Sequence, residues 1–488
     1  MRGWRLRLSA ILGGLGMSSD WLLEELGVIV TGKTPPQALE KAYFVLGTPF
    51  LTPKDMDGRK WITSTERYLS EAGLSSVKNS LIPAGSISVS CIGSDMGKAV
   101  MVPVDTVTNQ QINSIIPDKT KCHPEYLYYL LSTKQQELKD IAGGSATPIL
   151  NKGHFGKIQV HLPDIGYQAA AAKILSSFDD KIQLNNQINQ TLEQMAQAIF
   201  KSWFVDFEPT RAKIAALEAG GSEDDALLAA MQAIAGSALF ATDAADADAP
   251  TQLARLQTEH PEQYTTLRAT AELFPSAMQE SELGEIPEGW DALPLYETAE
   301  YVNGAAFKAT DFSEDRSGLP IVKIAELKQG VSATTQFTNG TFRERYQIES
   351  GDVLYSWSGS PETSLEVFRW FGGKGWLNQH IFKLNFHETH NKHFAFFLLR
   401  QIKPLLIRTA QQKQTTGLGH ITVADMKRIK IPYPDQRLVS RFSEAVGPIY
   451  DRGSEAIQES DLLAQLRDSL LPKLLSGEIT LAEEVKRS

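Results

Sequence analysis

The sequence predicts an α+β chain built twice: two tandem β-rich domains, each followed by a long helix, as an internal pseudo-twofold repeat. Three observations lead there. LNKGHFGKIQVHLPD (Leu150–Asp164) returns as ITVADMKRIKIPYPD (Ile421–Asp435) at an offset of 271. PAGSISVS (Pro83–Ser90) and TNQQINSIIP (Thr108–Pro117) return as ESGDVLYS (Glu349–Ser356) and LNQHIFKLNF (Leu377–Phe386), with the offset drifting to 266 and 269. An apolar stripe at helical spacing follows each copy.

Taken in order, residues 1–16 have a basic, apolar start without a clean cleavage site and read as an N-terminal extension outside the fold. Residues 17–165 form the first β-rich domain. DWLLEELG (Asp20–Gly27) opens it and is echoed, through its Trp-to-Leu spacing, by GWDALPLY (Gly289–Tyr296). Near its end Asn151 is placed to cap a short helix, as Thr422 is in the second copy. An alternating strand follows and stops at proline.

Residues 166–207 carry the first long helix. Ile174, Phe178, Asn185, Ile188, Leu192, Met195 and Ile199 step by three, four or seven, a coiled-coil-like seam in which Asn185 costs stability and fixes register. Residues 208–288 are Ala- and acid-rich and read as a helical insertion, either solvated or a partner-docking arm, interrupted by low-complexity ATDAADADAP. Residues 289–435 repeat the first domain. Residues 436–488 hold the second long helix and a tail, with Val446, Ile449, Leu463, Leu466, Leu470 and Leu474 as its stripe.

With 488 residues, 42% hydrophobic and 22% charged, the chain has room for several cores and an ordinary globular composition. The longest apolar runs fall short of a membrane span. Two cysteines, Cys91 and Cys122, give neither a disulfide framework nor a zinc ribbon, which fits a reduced, cytoplasmic setting. The net charge of −10 is uneven. Glu218–Glu300 carries 17 acidic residues against Arg255 and Arg268, whereas Lys392–Arg441 carries ten Lys/Arg against Asp425 and Asp435. Global acidity hides a basic region, so a polyanionic partner is not excluded.

GVIVTGKTPP (Gly27–Pro36) matches the phosphate-loop pattern G-x-x-x-x-G-K-S/T. Its context argues against nucleotide binding. Val28–Val30 are strand formers, Pro35 turns Thr34 away from helix, and the second copy keeps Gly304 without the Lys-Thr pair. FHETHNKH spaces three histidines without a matching cluster elsewhere, and no metal is expected. IPYP (Ile431–Pro434) lacks the Asn or Asp that heads the catalytic tetrapeptide of amino-methyltransferases. No catalytic residue and no cofactor-binding residue is assigned.

The arrangement resembles the specificity subunits of Type I restriction–modification systems. The resemblance runs from Met17 to Ile479. It is carried by QAAAAKILSSFDDKIQLNNQINQTLEQMAQAIFKSWFVDFEP, by ESELGEIPEGW before the second copy, and by LRDSLLPKLLSGEI at the end. It implies that the β-rich domains are target-recognition domains, each binding half of an asymmetric bipartite DNA target. It also implies that the helices pack as an antiparallel coiled coil that sets the spacer. Implied partners are double-stranded DNA, two modification (methyltransferase) subunits and restriction (translocase/nuclease) subunits. S-adenosylmethionine, ATP and Mg2+ would belong to those partners, and none to this non-catalytic chain. The alternatives are a fused methyltransferase or nuclease, for which a cofactor loop is missing, and a coiled-coil scaffold with degenerate recognition domains.

On this resemblance the candidate DNA contacts are Lys33, Thr34, Lys98, Asn109, Gln110, Asn151 and Lys152 in the first copy. In the second they are Lys308, Lys374, Asn378, Gln379, His380, Lys413, Thr415, Thr416 and His420. Asn and Gln suit adenine, and Lys suits guanine or phosphate. Asn109 and Asn378 recur in both copies, which equally fits side chains that close their own turns.

Overall fold

The computed structural model describes residues 19–39, 41–93, 96–142, 149–236, 249–387, 391–413, 419–479 and 481. Residues 1–16, most of ATDAADADAP and the final seven residues lie outside that set. The chain divides into two compact units, Met1–Leu184 with Ser460–Ser488, and Asn185–Glu459. Both divisions fall inside the long helices, so each unit contains one β-rich copy and a stretch of both helices.

In the first copy, β1 (Ser19–Leu22) pairs antiparallel with β11 (Gln159–Leu162). A four-stranded sheet runs in the order β2 (Gly27–Thr31), β10 (Ile112–Pro117), β7 (Ile87–Ser90), β8 (Ala99–Met101). A second sheet runs β3 (Tyr43–Phe44), β5 (Arg67–Leu69), β4 (Thr48–Leu51), β9 (Thr106–Thr108), β6 (Leu81–Ile82), with β4 and β9 parallel.

The second copy repeats this plan. β12 (Asp291–Pro294) pairs with β21 (Lys430–Tyr433). One sheet orders β13 (Glu300–Asn303), β20 (Ile381–Asn385), β17 (Val353–Ser356), β18 (Glu366–Arg369). The other orders β15 (Phe337–Thr338), β14 (Leu319–Val322), β19 (Gly375–Leu377), β16 (Gln347–Ile348), with β14 and β19 parallel. Among the described residues the first copy adds the edge strand β3, and the second half adds the pairs Met278–Ser281 with Gly284–Pro287 and Ser358–Gly359 with Gly419–His420. The register corrects one alignment made from sequence. Trp21 faces Val160 and Leu293 faces Ile431, so Trp21 corresponds to Leu293 and not to Trp290.

An aromatic helix precedes the capped motif in each copy: α1 (Pro124–Ser132) and α8 (Lys392–Gln401). In α2 (Lys152–Gly156) the Asn151 side chain accepts from the His154 N–H at 2.9 Å. In α9 (Val423–Arg428) the Thr422 hydroxyl accepts from the Asp425 N–H at 3.2 Å. Each cap satisfies one orphan donor of its helix.

The long helices are α3 (Ile165–Phe204) and α10 (Gln436–Ser476). Within Asn185–Glu459, Ile199, Phe200, Trp203 and Phe204 of α3 pack with Phe442 and Val446 of α10. The Phe442 ring lies 5.1–6.1 Å from those of Phe200, Trp203, Phe204 and Phe397. Asn185 is buried on this seam and donates to Glu459 Oε2 at 2.8 Å. In the other unit, the Tyr167 hydroxyl shares its one proton between the carbonyls of Leu474 and Ile479, at 3.0 and 2.9 Å. Of the stripe read from sequence, Ile199, Val446 and Leu474 are buried; Ile174, Phe178, Ile188, Leu192, Met195, Ile449, Leu463 and Leu470 are half-buried. Leu466 departs from it, 44% exposed. The inward place goes to its neighbour Arg467, which pairs with Asp179 at 2.6 Å.

The insertion forms α4 (Glu208–Glu218), α5 (Glu223–Ile234), α6 (Ala249–Glu259) and α7 (Pro261–Glu272). Met231, Leu253, Leu267 and Phe274 join the same core as Trp203, with Trp203 and Phe274 edge-to-face at 5.4 Å. The insertion is thus continuous with the second copy's core.

Each copy is fastened to the helices by one buried cation. In the second, Arg369 (side chain 3% exposed) bonds Glu193 at 2.5 Å and Asn189 Oδ1 at 2.7 Å from α3. It also donates to the Tyr450 carbonyl at 3.0 Å and Ser454 Oγ at 3.2 Å from α10. Gly453 makes room for this: a Cβ there would meet Asn189 Oδ1 at 2.8 Å and Arg369 Nη1 at 2.9 Å. That explains a glycine in mid-helix, where it costs about 1 kcal/mol against alanine. In the first copy, Lys60 (side chain 3% exposed) reaches Glu125 at 2.6 Å and Ser176 Oγ at 2.7 Å, with its ammonium 5.0 Å from the Tyr129 ring centre. Register places Met101 where Arg369 stands. The first copy therefore takes its cation from the segment alongside, where the Lys60 carbonyl accepts from the Met101 N–H at 2.7 Å.

His393 gives this unit a pH dependence. Burial, reinforced by Lys392 and opposed by Asp451, pushes its imidazole down to about 4. Its Nδ1 meets Ser443 Oγ at 2.6 Å and its ring lies 4.8 Å from that of Tyr450. Between about pH 6.5, the ordinary histidine value, and pH 4, the unfolded chain takes up a proton that the folded one refuses. Stability should therefore be complete above pH 6.5 and fall as pH drops through that window. Thermal unfolding against pH should show this fall, and His393→Gln should flatten it; an unaltered profile in the variant would contradict the assignment.

Candidate nucleic-acid interface

The surface begins where β2 leaves its sheet. Gly32 N–H donates to the Ile112 carbonyl at 3.0 Å and Lys33 N–H to the Thr108 carbonyl at 2.9 Å. In the second copy Gly304 and Ala305 make the same bonds to Ile381 and Leu377, at 3.1 and 2.8 Å. A Cβ on Gly32 would meet the Asn109 carbonyl oxygen at 2.0 Å, and on Gly304 the Asn378 carbonyl oxygen at 2.3 Å. Glycine is required because two backbones touch. No helix opens at Lys33–Thr34, so the N–H cradle of a phosphate loop is missing there.

The turn it touches is closed by asparagine in both copies. Asn109 Oδ1 accepts from the Gln111 N–H at 3.1 Å, and Asn378 Oδ1 from the His380 N–H at 3.3 Å. These carbonyl oxygens are spent on their own loops. Thr34 bonds Gln110 across the gap between the two segments. Beside this turn in the first copy lies an open cleft of about 370 Å³, lined by Lys54, Glu66, Arg67, Asn109 and Gln111.

At the corresponding turn of the second copy, Trp357 donates to Asn303 Oδ1 at 3.1 Å, with the rings of His380 and His420 at 5.7 and 6.5 Å. The segment carrying Trp357 continues into Ser358–Gly359, which pairs with Gly419–His420. Nearby, Lys323 bonds Gln336 and lies 5.4 Å from the Phe312 ring centre.

The structure thus gathers Lys33, Thr34, Asn109 and Gln110 in one copy, and Asn378, Gln379, His380 and His420 in the other. Lys98 sits between β7 and β8, its N–H bonded to Ser90 Oγ. Lys152 opens α2 beside its cap Asn151. Lys308 and Lys374 are exposed on loops. Lys413 is drawn inward to Asp425 at 2.5 Å. Burial would raise that carboxyl, but Lys413 and the Thr422 donors hold it at about 2. Thr415 and Thr416 lie outside the described residues, as does His390 of the histidine cluster. Lys54, Arg67, Asn303, Lys323, Gln336 and Trp357 escaped the sequence reading. For Arg67 and Gln336 the signal is strand register, each standing across from the residue whose other partner lies two positions before the repeated asparagine.

Sequence comparison with known proteins identifies a family. The family model described as "Type I restriction modification DNA specificity domain" matches residues 19–194 and 287–444. The HindI specificity subunit of Haemophilus influenzae is 30% identical over 413 residues, 82% of this chain and 87% of that protein. The MjaIX specificity subunit of Methanocaldococcus jannaschii is 24% identical over 477 residues, 95% and 94% of the two chains. The crystal structure of an S subunit from M. genitalium superposes with a TM-score of 0.46 at 12% identity, covering 94% of this chain and 96% of that one. With two matched copies of the domain and relatives aligned over most of their length, the chain belongs to the specificity subunits of Type I restriction–modification systems, their DNA-recognition rather than catalytic component.

Proposed function

We propose that each β-rich copy is a reader for one half of a split, asymmetric DNA target, and that the paired helices set the number of base pairs between the halves. One observation carries this: the copies share topology, the Gly32/Gly304 contact and the Asn109/Asn378 turn, yet present different side chains around that turn. A common frame with unlike surfaces suits unlike half-sites. The sixteen candidate residues belong to this proposal as candidates, with exposed Lys33, Lys152, Lys308 and Lys374 as phosphate contacts. Binding should therefore weaken steeply with salt.

In this reading two modification subunits dock on the helices, and restriction subunits join them. S-adenosylmethionine, ATP and Mg2+ serve those partners, in the cytoplasm. Among the described residues no helix is long and apolar enough to cross a membrane. Methylome sequencing of the host with and without this gene tests the function. One asymmetric split motif should lose methylation in the deletion; an unchanged methylome, or loss at a continuous palindrome, would refute it.

A further inference from the structure

The register of the two smaller sheets shows which residues occupy the same place. In the first copy β4 pairs Phe50 with Arg67 on one side and with Val107 on the other, two residues before Asn109. In the second copy β14 pairs Ile321 with Trp376, two residues before Asn378. On its other side the Ile321 N–H donates to the Gln336 carbonyl at 2.8 Å. Arg67 and Gln336 are therefore equivalent, each standing one strand pair from the asparagine turn. The frame around them is kept, whereas the two residues differ in the way that decides base choice.

Arg67 is exposed, and its guanidinium makes no hydrogen bond or ion pair among the described residues. It is nonetheless fixed, lying 4.9 Å from the Tyr43 ring centre and 5.1 Å from that of Phe50. Stacking holds the planar fork while leaving its donors open toward the cleft shared with Lys54, Glu66, Asn109 and Gln111. A fork held in this way matches the paired acceptors O6 and N7 of guanine. Gln336 is oriented by Lys323, which donates to one lone pair of its Oε1 and leaves the second lone pair and the amide nitrogen for a base edge. A carboxamide offers the donor–acceptor pair that adenine requires. Both groups are short of partners in the protein and complete on a base edge.

We infer that Arg67 and Gln336 are the corresponding base-reading positions of the two readers, Arg67 for a guanine in one half-site and Gln336 for an adenine in the other. The inference rests on the proposed half-site function. The test uses the full chain assembled with its modification subunits and a library randomised one base pair at a time, scored by methylation. Arg67→Met keeps an unbranched apolar stem and removes every donor. It should lower the preference for one G·C pair by roughly 5- to 150-fold, the range of one bidentate contact. The other half-site and the salt slope should not move. Gln336→Ala should relax one A·T pair in the opposite half-site. A uniform loss across all sequences with a changed salt slope would make Arg67 a phosphate contact and overturn the assignment. So would unchanged preferences in Arg67→Met, or a first half-site without a preferred guanine. If the unsubstituted complex itself selects no split target, the functional proposal fails instead, and the two failures are distinct.

Discussion

Arg369→Met is expected to destabilise the unit Asn185–Glu459 by about 3–5 kcal/mol, the usual cost of removing one partner of a buried ion pair. The size follows from what is left behind. Glu193 keeps Arg400 but loses its nearly dry partner. Asn189 Oδ1, the Tyr450 carbonyl and Ser454 Oγ each lose a donor inside a packed junction. Methionine is tolerated sterically at this place in the fold, because Met101 occupies it in the first copy. Overpacking therefore does not confound the result. Urea unfolding followed by tryptophan fluorescence should show the loss. A change below about 1 kcal/mol would mean that the guanidinium is dispensable and that apolar packing alone holds this reader on the helices.

Exchange of the first reader, residues 19–162, for that of another specificity subunit should replace one half of the methylated motif completely. The other half and the spacer should stay as they were. The junctions suit the experiment, since β1 and β11 pair with each other and carry both ends of the reader. The buried cation must travel with it: Lys60 needs Glu125, which lies inside the exchanged segment, and Ser176, which lies outside. Altered specificity in both halves would contradict independent readers.

The duplication was legible because caps and strand ends recur as letters. Asn151 and Thr422 hold the caps expected of them, and the Gly–Asn pairings survive insertion and deletion in the loops between. The echo of Trp21 in Trp290 misled because tryptophan is conspicuous while pairing register is silent. Trp290 is buried against Phe204 and Phe207, a place that the first copy does not build from Trp21. Leucine at helical spacing reads as inward, which puts Leu466 on the seam, yet the phase is set by Arg467 reaching Asp179. The two fastening cations were beyond sequence reading, since Lys60 and Arg369 converge on one role from non-equivalent positions. Arg67 and Gln336 were hidden for a related reason: their equivalence appears only when each is counted from its strand partner.

The measure of distance between half-sites is the central claim, and the chain offers a clean place to alter it. Asn185 bonds Glu459 across the helix pair, at the level where the two compact units divide. Four residues, about one turn and about 6 Å, can be inserted into each helix there without entering either reader. Methylome sequencing of this variant should return both half-sites unaltered with a spacer longer by roughly two base pairs, at about 3.4 Å per step. The same motif with its original spacer would show that the helices do not set the distance.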